Sequence, residues 1–185
     1  GHNIGLGIAT ETTGRKVTST SPSFGHMTHA ADGPLCRCGA QGCIEAYAGF
    51  YAILRTAFEV PAHTIPANFV PLEEVDKIAD NARRGDRMAQ FAFRQAGEIL
   101  GIGISKLLSL YGPLPLTITG PGLKYFDLMQ ESFEAPLHNN FLVRFGAMPE
   151  VSLHHDQATL IYEGNIESSM SHVDLSFLTA GKVKS

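Results

Sequence analysis

Cys36, Cys38 and Cys43 are the only cysteines of the chain, and all three lie in the short segment Leu35-Cys36-Arg37-Cys38-Gly39-Ala40-Gln41-Gly42-Cys43. An odd number of thiols packed this tightly makes a poor disulfide framework, because one thiol is left over and near neighbours cannot reach disulfide geometry without strain. Metal ligation fits better. A closed zinc site takes four soft or borderline ligands in a tetrahedron, and three cysteines with one histidine is a usual set. His26 supplies the fourth ligand in the pattern His-x9-Cys-x-Cys-x4-Cys, with His29 as the competing candidate. Three thiolates and a neutral imidazole around a dication leave a net charge of about minus one and no open position, so such an ion is structural. Its binding energy, on the order of 10–16 kcal/mol in zinc peptides, can order a loop that would otherwise lack a core. A nucleic-acid zinc ribbon would need a second paired-cysteine knuckle, which the sequence lacks.

The elements around this loop must bring its ligands together. Asp32-Gly33-Pro34, Gly39 and Gly42 are turn residues that let the backbone fold sharply around one ion. After Cys43, the positions Ile44, Tyr47, Tyr51, Leu54 and Phe58 recur at helical spacing and predict a helix over 44–59, with Glu45 in its first turn. Upstream, strands over 4–10 and 15–20 flank the hairpin signal Thr13-Gly14. Downstream, Pro61, Pro66 and Pro71 mark a loop, and Leu72, Val75, Ile78, Ala79 and Ala82 form a helical stripe ended by Gly85. Asp86 is placed to cap a long helix reaching Tyr111, within which Gly101 and Gly103 cost propensity and therefore imply close packing against another element. A buried strand over 114–119, a helix over 123–135 and a short strand over 151–153 complete an alternating, α/β pattern. His154-His155 before Asp156 reads as a helix-entry turn capped by Asp156 in preference to a second metal site. Phe91, Phe93 and Tyr125 read as core or interface, and Phe24 and Met27 as packing groups beside the histidine.

The chain has 185 residues, 44% hydrophobic and 17% charged, with a formal net charge of −4, so it can bury a core and is not a disordered segment. Its acidic balance argues against free nucleic-acid binding, since Arg83-Arg84 is the one basic cluster and stands beside Asp80 and Asp86. The most apolar stretch, 99–123, is interrupted by Lys106, Pro113 and Pro115, and no secretory signal opens the chain, so no membrane partner and a cytoplasmic location are expected. An opening inside a glycine-punctuated apolar strand, Ile4-Gly5-Leu6-Gly7-Ile8, points to a piece of a longer protein.

Gly25-His26-Met27, followed by Asp32-Gly33-Pro34-Leu35-Cys36-Arg37-Cys38-Gly39-Ala40-Gln41-Gly42-Cys43-Ile44-Glu45-Ala46-Tyr47-Ala48, resembles the signature of the ROK family, named for repressors, open reading frames and kinases. Ala82-Arg83-Arg84-Gly85-Asp86-Arg87-Met88-Ala89, Ala96-Gly97-Glu98-Ile99-Leu100-Gly101 and Leu116-Thr117-Ile118-Thr119-Gly120 keep the family's order. The resemblance implies the C-terminal lobe of the actin/hexokinase-like (ribonuclease H-like) ATPase fold over residues 1–165, with a zinc loop at about 24–45, a variable tail over 166–185, and the N-terminal lobe outside this chain. It implies that His26 both ligates zinc and faces a sugar hydroxyl, that Glu45 accepts hydrogen bonds from sugar hydroxyls, and that Ser23 stands where the family usually has a glutamate. The family's kinases carry their general base in the N-terminal lobe, so no catalytic residue is assigned and this chain alone is not expected to phosphorylate a sugar. ATP use is disfavoured as well: His2 and Asn3 stand at the phosphate-hairpin positions, and Gly120-Pro121-Gly122 replaces a glycine pair, removing an N–H donor at Pro121. The reading that follows is the sugar-sensing or sugar-phosphate-sensing part of a ROK transcriptional regulator, a homo-oligomer that meets DNA only through a segment outside the sequence. The alternatives are the C-terminal lobe of an ATP-dependent sugar kinase and a zinc-stabilised interaction lobe without ligand.

Overall fold

The computed structural model describes residues 4–12, 15–21 and 23–154. The expected phosphate positions His2 and Asn3, the turn Thr13-Gly14, the proposed cap Asp156 and the tail over 166–185 lie outside the described residues. The chain divides into two compact units: the described residues of Gly1–Leu114 and Tyr125–Pro149 form one, and those of Pro115–Lys124 and Glu150–Ser185 form the other.

The first unit opens with β1 (Leu6–Thr12) and β2 (Arg15–Ser21), antiparallel in the register Leu6 opposite Ser21 to Thr12 opposite Arg15. A 3-10 turn, Phe24–His26, leads into the cysteine loop and then α1 (Glu45–Ala48) and α2 (Phe50–Ala57). The single helix expected over 44–59 is therefore broken. Gly49 is extended (φ −68°, ψ 155°), and a Cβ there would come within 2.7 Å of the Glu45 carbonyl, so the chain re-enters helix with a new phase. Ile53 and Arg55 consequently turn inward, and Phe58, assigned to the apolar stripe from spacing, is 59% exposed.

Next come α3 (Leu72–Arg83), with Glu73 and Glu74 at its N-terminal and Arg83 at its C-terminal end, as the helix dipole favours, and the 25-residue α4 (Arg87–Tyr111). Asp86 caps α4 as expected, its Oδ1 accepting the Ala89 N–H at 2.7 Å. Helices α5 (Gln130–His138) and α6 (Phe141–Phe145) follow in the same unit. Helix α6 has no counterpart in the sequence reading, and the helix expected over 123–135 is replaced by a 3-10 segment, Pro121–Leu128, followed by α5. The core of this unit runs along α4: Ala92, Phe93 and Ala96 are fully buried, and Tyr125 meets Phe93 and Phe50 with ring centroids 5.7 and 6.0 Å away. Phe91 instead lies at the surface.

The glycines of α4 have the packing role that their propensity cost implied. A Cβ on Gly101 would strike the Phe133 backbone of α5, and one on Gly103 would come within 2.7 Å of Ile44 and 3.0 Å of Phe24. Gly103 thus lets α4 approach both the Phe24–His26 turn and the residue that precedes Glu45.

In the second unit, β3 (Leu116–Thr119) pairs in parallel with β4 (Val151–His154), Leu116 opposite Val151 through Thr119 opposite His154. Thr117 and Ser152 meet across this pair at 3.0 Å. β3 alternates between half-buried and exposed residues, so it is not the buried strand that its apolar run predicted. After it, Gly120 takes a left-handed φ of 102° and Pro121 opens the 3-10 segment. Among the described residues no helix is long and apolar enough to cross a membrane.

Candidate metal centre and the adjoining carboxylate

The cysteine loop is a small closed knuckle. Leu35 bridges Gln41, the Cys36 N–H donates to the Ala40 carbonyl at 2.9 Å, and the Gly39 N–H returns to the Cys36 carbonyl at 3.0 Å. Two of its glycines are in left-handed backbone, Gly39 at φ 88° and Gly42 at φ 68°. Gly42 is the more constrained, because a Cβ there would fall on the Ala30 carbonyl. Its own carbonyl accepts the His29 and Ala30 N–H groups at 2.7 and 3.3 Å. The next bridge, Thr28 opposite Cys43, with Ile44 N–H on the Met27 carbonyl at 3.0 Å, ties the segment after the histidine turn to the end of the loop.

This folding brings His26, Cys36, Cys38 and Cys43 together, with all four ligand atoms within 4.8 Å of one another. His26 Nδ1 lies 3.6 Å from Cys36 Sγ, and Cys38 Sγ lies 3.7 Å from Cys43 Sγ. A tetrahedral ion with S ligands at about 2.3 Å and N ligands at about 2.0–2.1 Å requires edges of about 3.8 Å between sulfurs and about 3.6 Å between sulfur and nitrogen. The residues present therefore fit a four-coordinate metal ion. His29 is not among them: its ring packs edge-on to Tyr47, centroids 5.3 Å apart, and burial with the nearby Lys106 charge lowers its pKa.

The thiols are unlike one another. Burial, then hydrogen bonding with Cys38 and Cys36, pushes Cys43 up to about 12. Cys38 is exposed, and the Ala40 backbone N–H lowers its pKa. Ligation by a cysteine needs its thiolate, so an ion held here would release thiol protons on uptake.

Glu45 opens α1 and is 1% exposed. Its Oε2 accepts the Ile4 N–H at 3.4 Å and lies against Gly25, where a Cβ would come within 3.2 Å. Gly25 immediately precedes His26, so the carboxylate sits beside the histidine turn. Ser23 belongs to the same turn: its carbonyl accepts the His26 N–H at 2.8 Å, and its side chain makes no capping bond.

Two residues beyond the motif complete the surroundings. Tyr51, 5% exposed, donates its hydroxyl to Cys36 Sγ at 3.4 Å, and burial with that bond raises its pKa. Arg55, 8% exposed, donates from Nη1 to the Leu35 carbonyl at 2.9 Å and the Ala62 carbonyl at 3.3 Å, and from Nη2 to the Ala46 carbonyl. Spacing placed Tyr51 in an apolar stripe and gave Arg55 no role. The available signal was an arginine among apolar residues of a short helix, which rarely goes inside without acceptors waiting for it.

The ROK family profile matches residues 2–161. The xylose repressor of Caldicellulosiruptor bescii is 24% identical over 154 residues, which cover 80% of this chain and 39% of the repressor. Among solved structures, a ROK family transcriptional regulator homologous to the E. coli MLC protein superposes with a TM-score of 0.57 at 24% identity, over 74% of this chain and 35% of that one. A ROK family glucokinase from Streptomyces griseus, solved with glucose and AMPPNP, superposes with a TM-score of 0.54 at 24% identity, over 83% of this chain and 53% of that one. The chain thus spans well under two thirds of the length of these relatives, and the likeness to the solved structures carries the actin/hexokinase-like fold. A profile match over nearly the whole described length and repressor and kinase neighbours of one fold lead to one assignment: the chain belongs to the ROK family.

Proposed function

We propose that this chain is the sugar-sensing C-terminal portion of a ROK-family transcriptional regulator, stabilised by zinc on His26, Cys36, Cys38 and Cys43. The observation that carries the sugar site is the buried Glu45 carboxylate held against the turn that bears His26. With Nδ1 directed to the metal cluster, the remaining proton of a neutral His26 ring resides on Nε2, which can only donate. A carboxylate that only accepts and an imidazole N–H that only donates are complementary to the two ends of a sugar hydroxyl. Ser23, exposed in the same turn, offers a shorter and uncharged contact at the position where the family usually places a glutamate.

Preference for a regulator over a kinase is supported by Pro121. It opens the 3-10 segment after β3, where the family's kinases use a glycine pair, and it supplies no N–H to a nucleotide phosphate. Repressors and glucokinases both match the chain, so the preference rests on Pro121. In this reading a sugar or sugar phosphate biases the equilibrium between two conformations of a cytoplasmic homo-oligomer, and the change reaches DNA through a segment outside this sequence. The second reading, the C-terminal lobe of an ATP-dependent sugar kinase, is favoured by the superposition on the glucose-bound glucokinase.

Titration of the full-length protein with glucose and xylose, with and without Glu45→Gln, tests the site. Hydrogen bonds to a charged acceptor contribute about 1.5–3 kcal/mol each, so affinity is expected to fall about 10- to 100-fold. Equal affinities remove Glu45 from the site. ATP-dependent phosphorylation of either sugar by the same preparation replaces the regulator reading with the kinase reading.

A further inference from the structure

We propose that Tyr51, flanked by Arg37 and Arg55, is an outer shell of the metal centre that holds Cys36 as a charged ligand and offsets the excess negative charge of three thiolates. The inference rests on the zinc reading above and adds three positioning residues to it.

The geometry begins with the hydroxyl. Cys36 is 1% exposed, so its sulfur cannot rely on water, and the Tyr51 hydroxyl donates to it at 3.4 Å. A donor aimed at a buried thiolate stabilises the charged, ligating form and fixes the direction of the sulfur. The ring of Tyr51 then lies near two cations: the Arg37 guanidinium carbon is 4.4 Å from the ring centroid and that of Arg55 is 5.8 Å away. Arg37 Nε is buried and makes no hydrogen bond among the described residues, so the aromatic face is what receives this guanidinium. Every acceptor described for Arg55 is a neutral backbone carbonyl, at Leu35, Ala46 and Ala62. No described carboxylate forms an ion pair with it, although a buried cation ordinarily needs a countercharge. A Cys3His site carrying about one net negative charge is the missing counterion. The same three carbonyls tie the residue before Cys36, the residue after Glu45 and the loop after α2 to one guanidinium.

The test uses the full chain, loaded with zinc for chelator competition and with cobalt for absorption spectroscopy. Tyr51→Phe keeps the ring and removes only the donor. It is expected to weaken metal affinity 10- to 100-fold, the range of outer-shell changes, and to shift the thiolate-to-cobalt charge-transfer band while the tetrahedral d–d bands persist. A merely packing tyrosine would move neither. Arg37→Gln leaves Tyr51 in place and is expected to lower zinc affinity severalfold, and it decides the matter if Tyr51→Phe fails to fold. Zinc affinity within twofold of wild type and an unshifted band in the folded variants overturn the outer shell while leaving the zinc reading intact. A wild-type chain that takes up neither metal overturns both.

Discussion

Two glycines of one loop allow a matched experiment on what holds the cysteine knuckle together. Gly39 and Gly42 both have left-handed backbone, at φ 88° and 68°, so alanine at either position pays the same conformational penalty, roughly 1–2 kcal/mol. Their surroundings differ completely. A Cβ at Gly39 meets nothing within 4 Å, whereas one at Gly42 falls on the Ala30 carbonyl. Relieving that clash must displace the Ala30 carbonyl, which accepts the Gly33 N–H at 3.0 Å, and the Gly42 carbonyl, which accepts His29 and Ala30 N–H groups at 2.7 and 3.3 Å. Loss of two or three such bonds, at about 1 kcal/mol each, brings the cost of Gly42→Ala to about 3–5 kcal/mol, against about 1–2 for Gly39→Ala. The difference of about 2 kcal/mol or more corresponds to roughly 30-fold in the folded population. Urea unfolding of wild type and both variants, at saturating zinc and with the slopes compared, measures it. Equal destabilisation by the two alanines would refute the steric argument, and with it the claim that the loop is closed by the contact between Ala30 and Gly42.

Other consequences follow from the packing around the site. Gly101→Ala should destabilise the fold by about 1–3 kcal/mol despite the gain of about 1 kcal/mol in helix propensity, because the new methyl meets the Phe133 backbone; a more stable variant in thermal unfolding would show that α4 and α5 can separate freely. Arg83 grips Asp127 with two hydrogen bonds of 3.0 and 2.9 Å, and this pairing holds the aspartate below its ordinary value. A depressed folded-state pKa contributes stability above the ordinary aspartate value, and that contribution is lost as pH falls from there through the folded value. The pair is half exposed, so its worth is under about 1 kcal/mol, and Asp127→Asn should remove that much at neutral pH and flatten the acid limb of the stability profile. An unchanged acid limb, measured by urea unfolding across pH, would assign that slope to other carboxylates.

The clustering of Cys36, Cys38 and Cys43 was legible in the sequence because their spacing is short and their chemistry leaves few alternatives. Three thiols in one turn-rich segment cannot pair among themselves, and the glycines between them announce the turns. Caps and stripes were legible for the same reason: Asp86 and the helix after it depend on neighbours a turn away. Where expectation and structure part, a neighbour distant in sequence decides. The break at Gly49, the exposure of Phe58 and the surface alternation of β3 could not be read from local periodicity, which reports that a face is apolar but not what covers it.

Residue types and short spacing were enough to show that a Cys3His cluster can form and that Glu45 opens a helix beside it. They named His26 as the fourth member with His29 as competitor, and the tertiary structure places His26 Nδ1 at the sulfurs and His29 against Tyr47. Only the fold could bury Glu45 against Gly25, seat Arg55 on carbonyls from three segments, and point the Tyr51 hydroxyl at Cys36. The reason is range. Spacing encodes which residues of one turn can meet, while a buried charge is tolerated only when groups from several segments converge on it, and that convergence is set by packing such as α4 closing over Gly103.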